Sequence, residues 1–229
     1  MRINADFDKR VVVHSDQLEW LQSPMKGVMR RPLDRVGDEV ARATTIVRYD
    51  PGSHFSPHVH TGGEEFIVLD GVFQDEHGDF PVGSYIRNPP GSSHTPGSEP
   101  GCTIFVKLWQ FEPDDQIHIR IRLDEAETAS NENGVSRRPL FKNEIEDVAL
   151  YTLEPGAQLT RDTPGGAELL VVEGQISERD DVLKARDWLR VPLQSRISAV
   201  AGEGGATIWM KMDHLAHVEN QIDRVEKII

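Results

Sequence analysis

The sequence predicts an all-β chain made of two tandem β-barrels or sandwiches, and three observations predict it. Short runs rich in β-branched and aromatic residues recur along the chain, bounded by Gly, Pro or Asp. Turn formers are plentiful, 19 Gly and 14 Pro, and they fall between those runs, where a chain of tight turns needs them. The chain also repeats itself once. GVMRRPL at 27–33 returns as GVSRRPL at 134–140, and YDPGSHF at 49–55 as LEPGAQL at 153–159. GGEEFIVLDG at 62–71 returns as GGAELLVVEG at 165–174, and CTIFVKL at 102–108 as ATIWMKM at 206–212. The starting positions differ by 107, 104, 103 and 104. So long a period is not that of a solenoid; it reads as a duplicated domain. The polar stretch DEAETASNENG at 124–134 sets the boundary, giving an N-terminal domain 1–123 and a C-terminal domain 124–229.

The elements follow in order. TTIVRY, EFIVLDGVF and CTIFVKLWQF supply strands of the first copy; ALYTLEP, LLVVEGQI and ATIWMKM supply those of the second. EFIVLDGVF is almost continuously apolar, as suits a strand covered on both faces. Helical periodicity is scarce. VENQIDRVEKII at 218–229 is the one segment expected to form a short helix.

Composition narrows the function. A hydrophobic fraction of 38% with mean hydropathy −0.45 fits a soluble globular chain, and no apolar run approaches the roughly 18 residues of a membrane span. The start, MRINADFDKRVVVHSDQ, lacks the apolar stretch of a secretion signal, since VVV is too short. A single cysteine, Cys102, excludes an intrachain disulfide and a paired-cysteine metal knuckle, so a reducing cytoplasm is the expected compartment. The net charge of −13 repels phosphate and argues against nucleic acid as a partner.

The chemistry concentrates in HFSPHVHTGGEEF at 54–66. Residues two apart in a strand face the same way, so His58 and His60 project side by side. Beyond the Gly62-Gly63 turn, Glu64 can return toward them. Imidazole nitrogen and carboxylate oxygen suit Zn, Fe, Mn, Ni or Cu. The best further ligand is His94, in the Pro/Gly-rich stretch GSYIRNPPGSSHTPG at 83–97.

These residues resemble the two cupin motifs. Gly52, five residues, His58-x-His60, three residues, Glu64, six residues and Gly71 match the first; Gly83, five residues, Pro89-x-Gly91, two residues and His94 match the second. The second motif commonly closes on Asn, where this chain has Ser98. The resemblance implies two double-stranded β-helix (jelly-roll) barrels, with His58, His60, Glu64 and His94 as metal ligands. GGEEFIVLDGVFQDEHGDFP and NPPGSSHTP further resemble the cupin domain of ChrR-type anti-sigma factors. That likeness implies zinc as the first expectation for the metal and a regulatory role in the response to singlet oxygen and organic peroxides. Sigma-factor binding is not expected, because in that family it belongs to a separate helical domain with its own His/Cys zinc site, and this chain shows no such segment. The second copy places Arg161 to Thr163, Ala167 and Ile197 where the first has its ligands, so that barrel is expected to bind no metal and to serve structurally.

The remaining residues have plainer readings. His54 shares strand parity with His58 and is a further ligand, a hydrogen-bond partner behind the ligands or, better, a histidine at the barrel mouth. Glu65 points away from Glu64 and reads as structural or as support for the site. Trp109 and Phe111 line a pocket or fill core, core being favoured. Asp75, Glu76, His77 and Asp79 read as an exposed polar turn, and Cys102 as a buried inert thiol. His14, His118, His214 and His217 show no partner. Two functions compete with a sensor: a dioxygenase using Fe or another divalent metal on a small enol or hydroxyketone, and a binding module for a small organic acid. A small-molecule ligand in the N-terminal barrel and a homodimer covering barrel edges are the expected partners.

Overall fold

The computed structural model describes residues 1–228, and the chain is all-β apart from short helical segments near its C-terminus and at 15–17. It divides into two compact units. The first takes residues 1–5, 19–125 and 220–229; the second takes 6–18 and 126–219.

The strands of the first unit that position the site are β1 (Val28–Gly37), β2 (Ala41–Tyr49), β3 (His58–His60), β4 (Glu64–Asp75), β5 (Ser84–Asn88), β6 (Ser92–His94) and β7 (Cys102–Leu108). They form an antiparallel sheet in the order β1-β2-β7-β4-β5, with β3 and β6 paired as a separate two-stranded ribbon. Strand β4 explains the unbroken apolar run in its sequence. Residues 64–68 are all buried, so both faces are covered. Phe66, Val68 and Phe73 pack with Val28, Val47, Phe55, Ile86, Cys102, Ile104 and Val106 in the barrel interior. Each such side chain contributes about 1.5–3 kcal/mol when removed from water.

The opposite face of the sheet is polar and equally closed. Arg42 is fully buried and donates to Asp34, Gln110 and Gln221 at 3.3, 3.2 and 2.9 Å. Gln221 belongs to the expected helix, α1 (Val218–Glu226), whose Val218, Ile222 and Val225 recur at helical spacing and are buried. Arg224 of the same helix donates to the Phe111 carbonyl at 2.7 Å.

Strand β1 carries a bulge. Pro32 faces Thr45 of β2 and Asp34 faces Thr44, which leaves Leu33 as an extra residue. A single inserted residue reverses the in–out alternation beyond it. The second unit repeats this in β8 (Val135–Lys142) against β9 (Asp147–Leu153): Pro139 faces Ala149 and Phe141 faces Val148.

Strands β10 (Gln158–Thr163), β11 (Ala167–Glu178), β12 (Trp188–Val191) and β13 (Ser195–Met212) complete the second unit, in the order β8-β9-β13-β11-β12 with β10 on β13. A short strand Val11–Val13 pairs with β12 at its edge. The second core, including Tyr151, Leu169, Val171, Ile197 and Ile208, is more completely aliphatic than the first.

Cys102 starts β7 and is buried. Burial, only partly offset by a hydrogen bond with Ser98, pushes its thiol up to about 11. The thiolate is the reacting species, so native protein at pH 8 should label with a disulfide reagent far more slowly than unfolded protein. The rate should keep rising toward pH 11 rather than levelling near pH 9; prompt labelling of native protein at pH 8 would contradict the burial.

Candidate metal centre

The β3–β6 ribbon builds the site by register. His94 faces His58 directly across the ladder, and Ser92 faces His60. The parity of β3 places His58 and His60 on one face, and the cross-strand pairing adds His94 to it. The three rings stand in a near-equilateral triangle, with centroids 4.8, 5.0 and 4.7 Å apart. One ligand atom from each lies within 4.8 Å of the others, a set that can hold a metal ion. His60 and His94 are buried and His58 is exposed.

Hydrogen bonds orient the lone pairs inward. His58 Nδ1 lies 3.3 Å from the Ser56 carbonyl and His94 Nδ1 lies 3.2 Å from Asp75 Oδ2. Donation from Nδ1 leaves Nε2 with the lone pair in both rings. His60 Nε2 and His94 Nε2 are 2.9 Å apart. Glu64 completes the arrangement on one side: its Oε2 is 3.3 Å from His60 Nε2 and 3.7 Å from His94 Nε2, and it accepts from Asn88 at 3.3 Å. The compact trio is therefore histidine only, with Glu64 against two of its members.

Electrostatics separates the buried rings. Burial, aided by the neighbouring His94 and His58, holds His60 below the ordinary histidine value despite Glu64. Burial pulls His94 the same way, but the Asp75 hydrogen bond and the Glu64 charge outweigh it and hold His94 above that value. Asp75 itself is buried, yet its bonds to His94 and to the His77 backbone keep its carboxyl below the usual range.

Asp75 is the residue that sequence reasoning missed. It opens the Asp75–Gly78 hairpin, where one carboxylate oxygen accepts from the His77 N–H at 2.7 Å and the other meets His94. The sequence signal, an acid before a turn, is the same one that produced the polar-turn reading. That reading holds for His77, which is exposed, and fails for Asp75.

A cavity of about 400 Å³ lies against the trio, with His58, His60 and Glu64 in its wall. Its other walls are apolar, from Val28, Val47, Phe55, Ile104 and Val106, and Arg30, Arg35 and Glu39 border it too. Trp109 also lines it, while Phe111 is buried. Trp109 has left-handed backbone at φ 62° and its ring covers Gly62, where a Cβ would come within 2.1 Å of the indole. Gly62 is therefore small to admit Trp109.

The other singled-out residues lie apart. His54 is exposed and paired with Glu99 at 2.8 Å, outside the trio. Glu65 turns to the opposite face, where it accepts from the Tyr85 hydroxyl and lies 3.9 Å from Arg87. His14 and His214 do have partners, contrary to expectation: Asp187 at 2.9 Å and the buried Glu168 at 3.1 Å. In the second unit, Arg161 faces Ile197 and Thr163 faces Ser195, as His58 faces His94 and His60 faces Ser92. Ala167 stands opposite Val191 as Glu64 stands opposite Asn88. At the four ligand positions the second unit thus carries a guanidinium, a hydroxyl and two aliphatic groups.

Residues 8–112 match the ChrR cupin-like domain, and residues 116–216 match it again. The chain belongs to the ChrR cupin-like domain family. Solved structures agree on the cupin fold over nearly its whole length. A dioxygenase candidate from Nostoc punctiforme superposes with a TM-score of 0.75 at 14% identity, covering 91% of this chain and 84% of that one. The bacterial pirin YhhW from Escherichia coli in complex with nickel(II) gives 0.66 at 12%, covering 90% and 99%. Oxalate decarboxylase from Lactobacillus farciminis, in its formate complex, gives 0.62 at 11%, covering 89% and 85%. At such identities the likeness speaks for the fold of this bicupin alone. No curated protein matches the chain, and no helix among the described residues is long and apolar enough to cross a membrane.

Proposed function

We propose that this cupin binds one divalent metal ion through His58, His60 and His94, with Glu64 as the fourth ligand, and uses it on a small organic molecule held in the adjoining cavity. One observation carries the reading: His58, His60 and Glu64 stand in the wall of the cavity, and the two histidines belong to the converging donor set that Glu64 adjoins. The donor set suits the ion, being three imidazoles, two of them with Nε2 lone pairs set by bonds at Nδ1, and one carboxylate. A bound divalent ion supplies Lewis-acid or redox chemistry at that wall. The chain's own part is to orient the ligands, through Asp75 and the Ser56 carbonyl, and to keep the site lined by hydrocarbon. The open cavity favours an oxygen-using enzyme acting on a small enol or hydroxyketone, with Fe as its ion. The test is metal analysis of natively purified protein, then oxygen uptake by Fe-loaded protein across β-diketones and hydroxyacetophenones. Uptake that depends on the three histidines is expected; none with any of these compounds would overturn the oxygenase reading.

A second reading rests on the family match. A ChrR-like cupin is consistent with a regulatory zinc site in oxidative-stress sensing. It predicts four-coordinate zinc without bound water, lost on exposure to peroxide or singlet oxygen. Retention of metal and fold under both oxidants would exclude it.

Asp75→Asn tests the orientation of His94 under either reading. Partners of this kind tune metal affinity by about 10–100-fold. Competition with a fluorescent chelator should show a loss in that range without loss of fold.

A further inference from the structure

Two cations face the cavity, and comparison of the two units shows that they are unquenched in only one. Arg30 and Arg35 are five apart on β1, which in a regular strand would put them on opposite faces. The Leu33 bulge restores parity, and both line the cavity. Arg30 faces Val47 and Arg35 faces Ala43. Across the same bulge in the second unit, Arg137 faces Tyr151 and Lys142 faces Asp147.

There the two cations are satisfied internally. Arg137 pairs with Asp147 and donates to Tyr151 Oη at 3.2 Å, while Lys142 lies 3.3 Å from Asp147. The first unit has neither partner: Ala43 stands where Asp147 does and Val47 where Tyr151 does. Among the described residues Arg35 bonds only to the Gly37 and Asp38 carbonyls, and Arg30 has no hydrogen bond or ion pair. Both are half-buried, and burial followed by the charge of Arg30 holds Arg35 below its ordinary value, against the opposing pull of the exposed Asp38. Glu39, exposed at the rim, is the one acid that borders this cavity besides Glu64; the two arginines also wall a neighbouring cavity of about 250 Å³ together with Glu39 and Asp38, whose carboxylate pairs with the Met1 nitrogen. Two half-buried guanidiniums with no carboxylate bonded to either form a seat for an anion, and guanidinium forks suit a carboxylate best.

We propose that the first unit binds a small organic acid, its carboxylate held by Arg30 and Arg35 and its apolar body against Val28, Val47, Ile104 and Val106. The acid thereby presents its far end to the histidine trio. As the substrate class of the metal site, this rests on the function proposed above; the anion seat itself does not need the metal.

The experiment is calorimetric titration of the full chain, stripped of metal by chelation and separately zinc-loaded. The probes are 3-phenylpropionate, benzoate and hexanoate, with 3-phenylpropan-1-ol as the neutral control. Metal-stripped protein should bind at least one acid at least about tenfold more tightly than the alcohol, the scale of a charge-assisted hydrogen bond. Arg30→Gln with Arg35→Gln should remove that preference. Ala43→Asp, which installs the acid the second unit carries, should remove it as well, and thermal melts identify whichever variant stays folded. Equal binding of acid and alcohol, no binding of any acid, a preference that survives the arginine substitutions, or one seen only with zinc would overturn the proposal. An acid preference in protein that takes up no metal would sink the metal reading and leave this one standing. Metal uptake without an acid preference would do the reverse.

Discussion

His58→Ala combined with His60→Ala is expected to yield a folded protein that takes up no metal. The second unit supplies the reason. At the register positions of His58, His60, Glu64 and His94 it holds Arg161, Thr163, Ala167 and Ile197, and the same scaffold closes around them. The first core, from Val28 to Val106, also lies outside the trio. His60 is buried, so its truncation leaves a small void and costs roughly 1–3 kcal/mol, while the exposed His58 costs less. Metal analysis should fall from about one ion per chain to a trace, as expected when half of a ligand set is deleted. The variant should melt as cooperatively as metal-stripped parent, several degrees lower. Global unfolding would show that the first barrel, unlike its sister, depends on the ion.

The opposite outcome is expected for Gly71→Ala. Gly71 sits at φ +69°, where an L side chain is strained. A Cβ there would come within 2.0 Å of the Gly101 carbonyl oxygen and 2.9 Å of the Cys102 Cα, both backbone atoms of the neighbouring strand and its approach. Neither can yield without breaking the β4–β7 ladder, in which Gly71 faces Cys102. The substitution should cost about 3 kcal/mol or more, through strain plus lost pairing. The second unit has the same device: a Cβ on Gly174 would meet the Gly205 oxygen at 2.2 Å. Urea titration measures it, and a loss below about 1 kcal/mol would show that the strands can separate there at little cost.

Much of this was legible in the sequence because it depends on local spacing. The duplication predicted two copies of one all-β fold, and both copies show it. Period two brought His58 and His60 together, and the motif brought in His94, 34 residues from His60. What escaped depends on events without a local signature. Asp75 reaches His94 only because the hairpin at 75–78 folds back, and an acid before a turn looks the same whether it faces water or a ring. The Leu33 bulge changes which residues share a face, yet one extra residue in RRPLDR carries no composition signal. His14 and His214 gained partners 173 and 46 residues away, beyond any spacing rule. Trp109 kept two readings, pocket wall and core, because a bulky apolar ring fits either; it stands in the cavity wall.

The way the chain is threaded bears on how it must be made. Val11–Val13 completes a sheet whose partner strand, Trp188–Val191, emerges about 175 residues later. Gln221, which follows every residue of the second unit, accepts from Arg42 of the first. Neither unit can close until a segment far along the chain has emerged. At elongation rates of about 5–20 residues per second, the strand at 11–13 spends on the order of ten seconds without its ladder partner. A nascent chain stalled near residue 125 would therefore hold an incomplete first unit and an unpaired apolar strand, and protease sensitivity at 6–18 should persist until residues 188–191 have emerged.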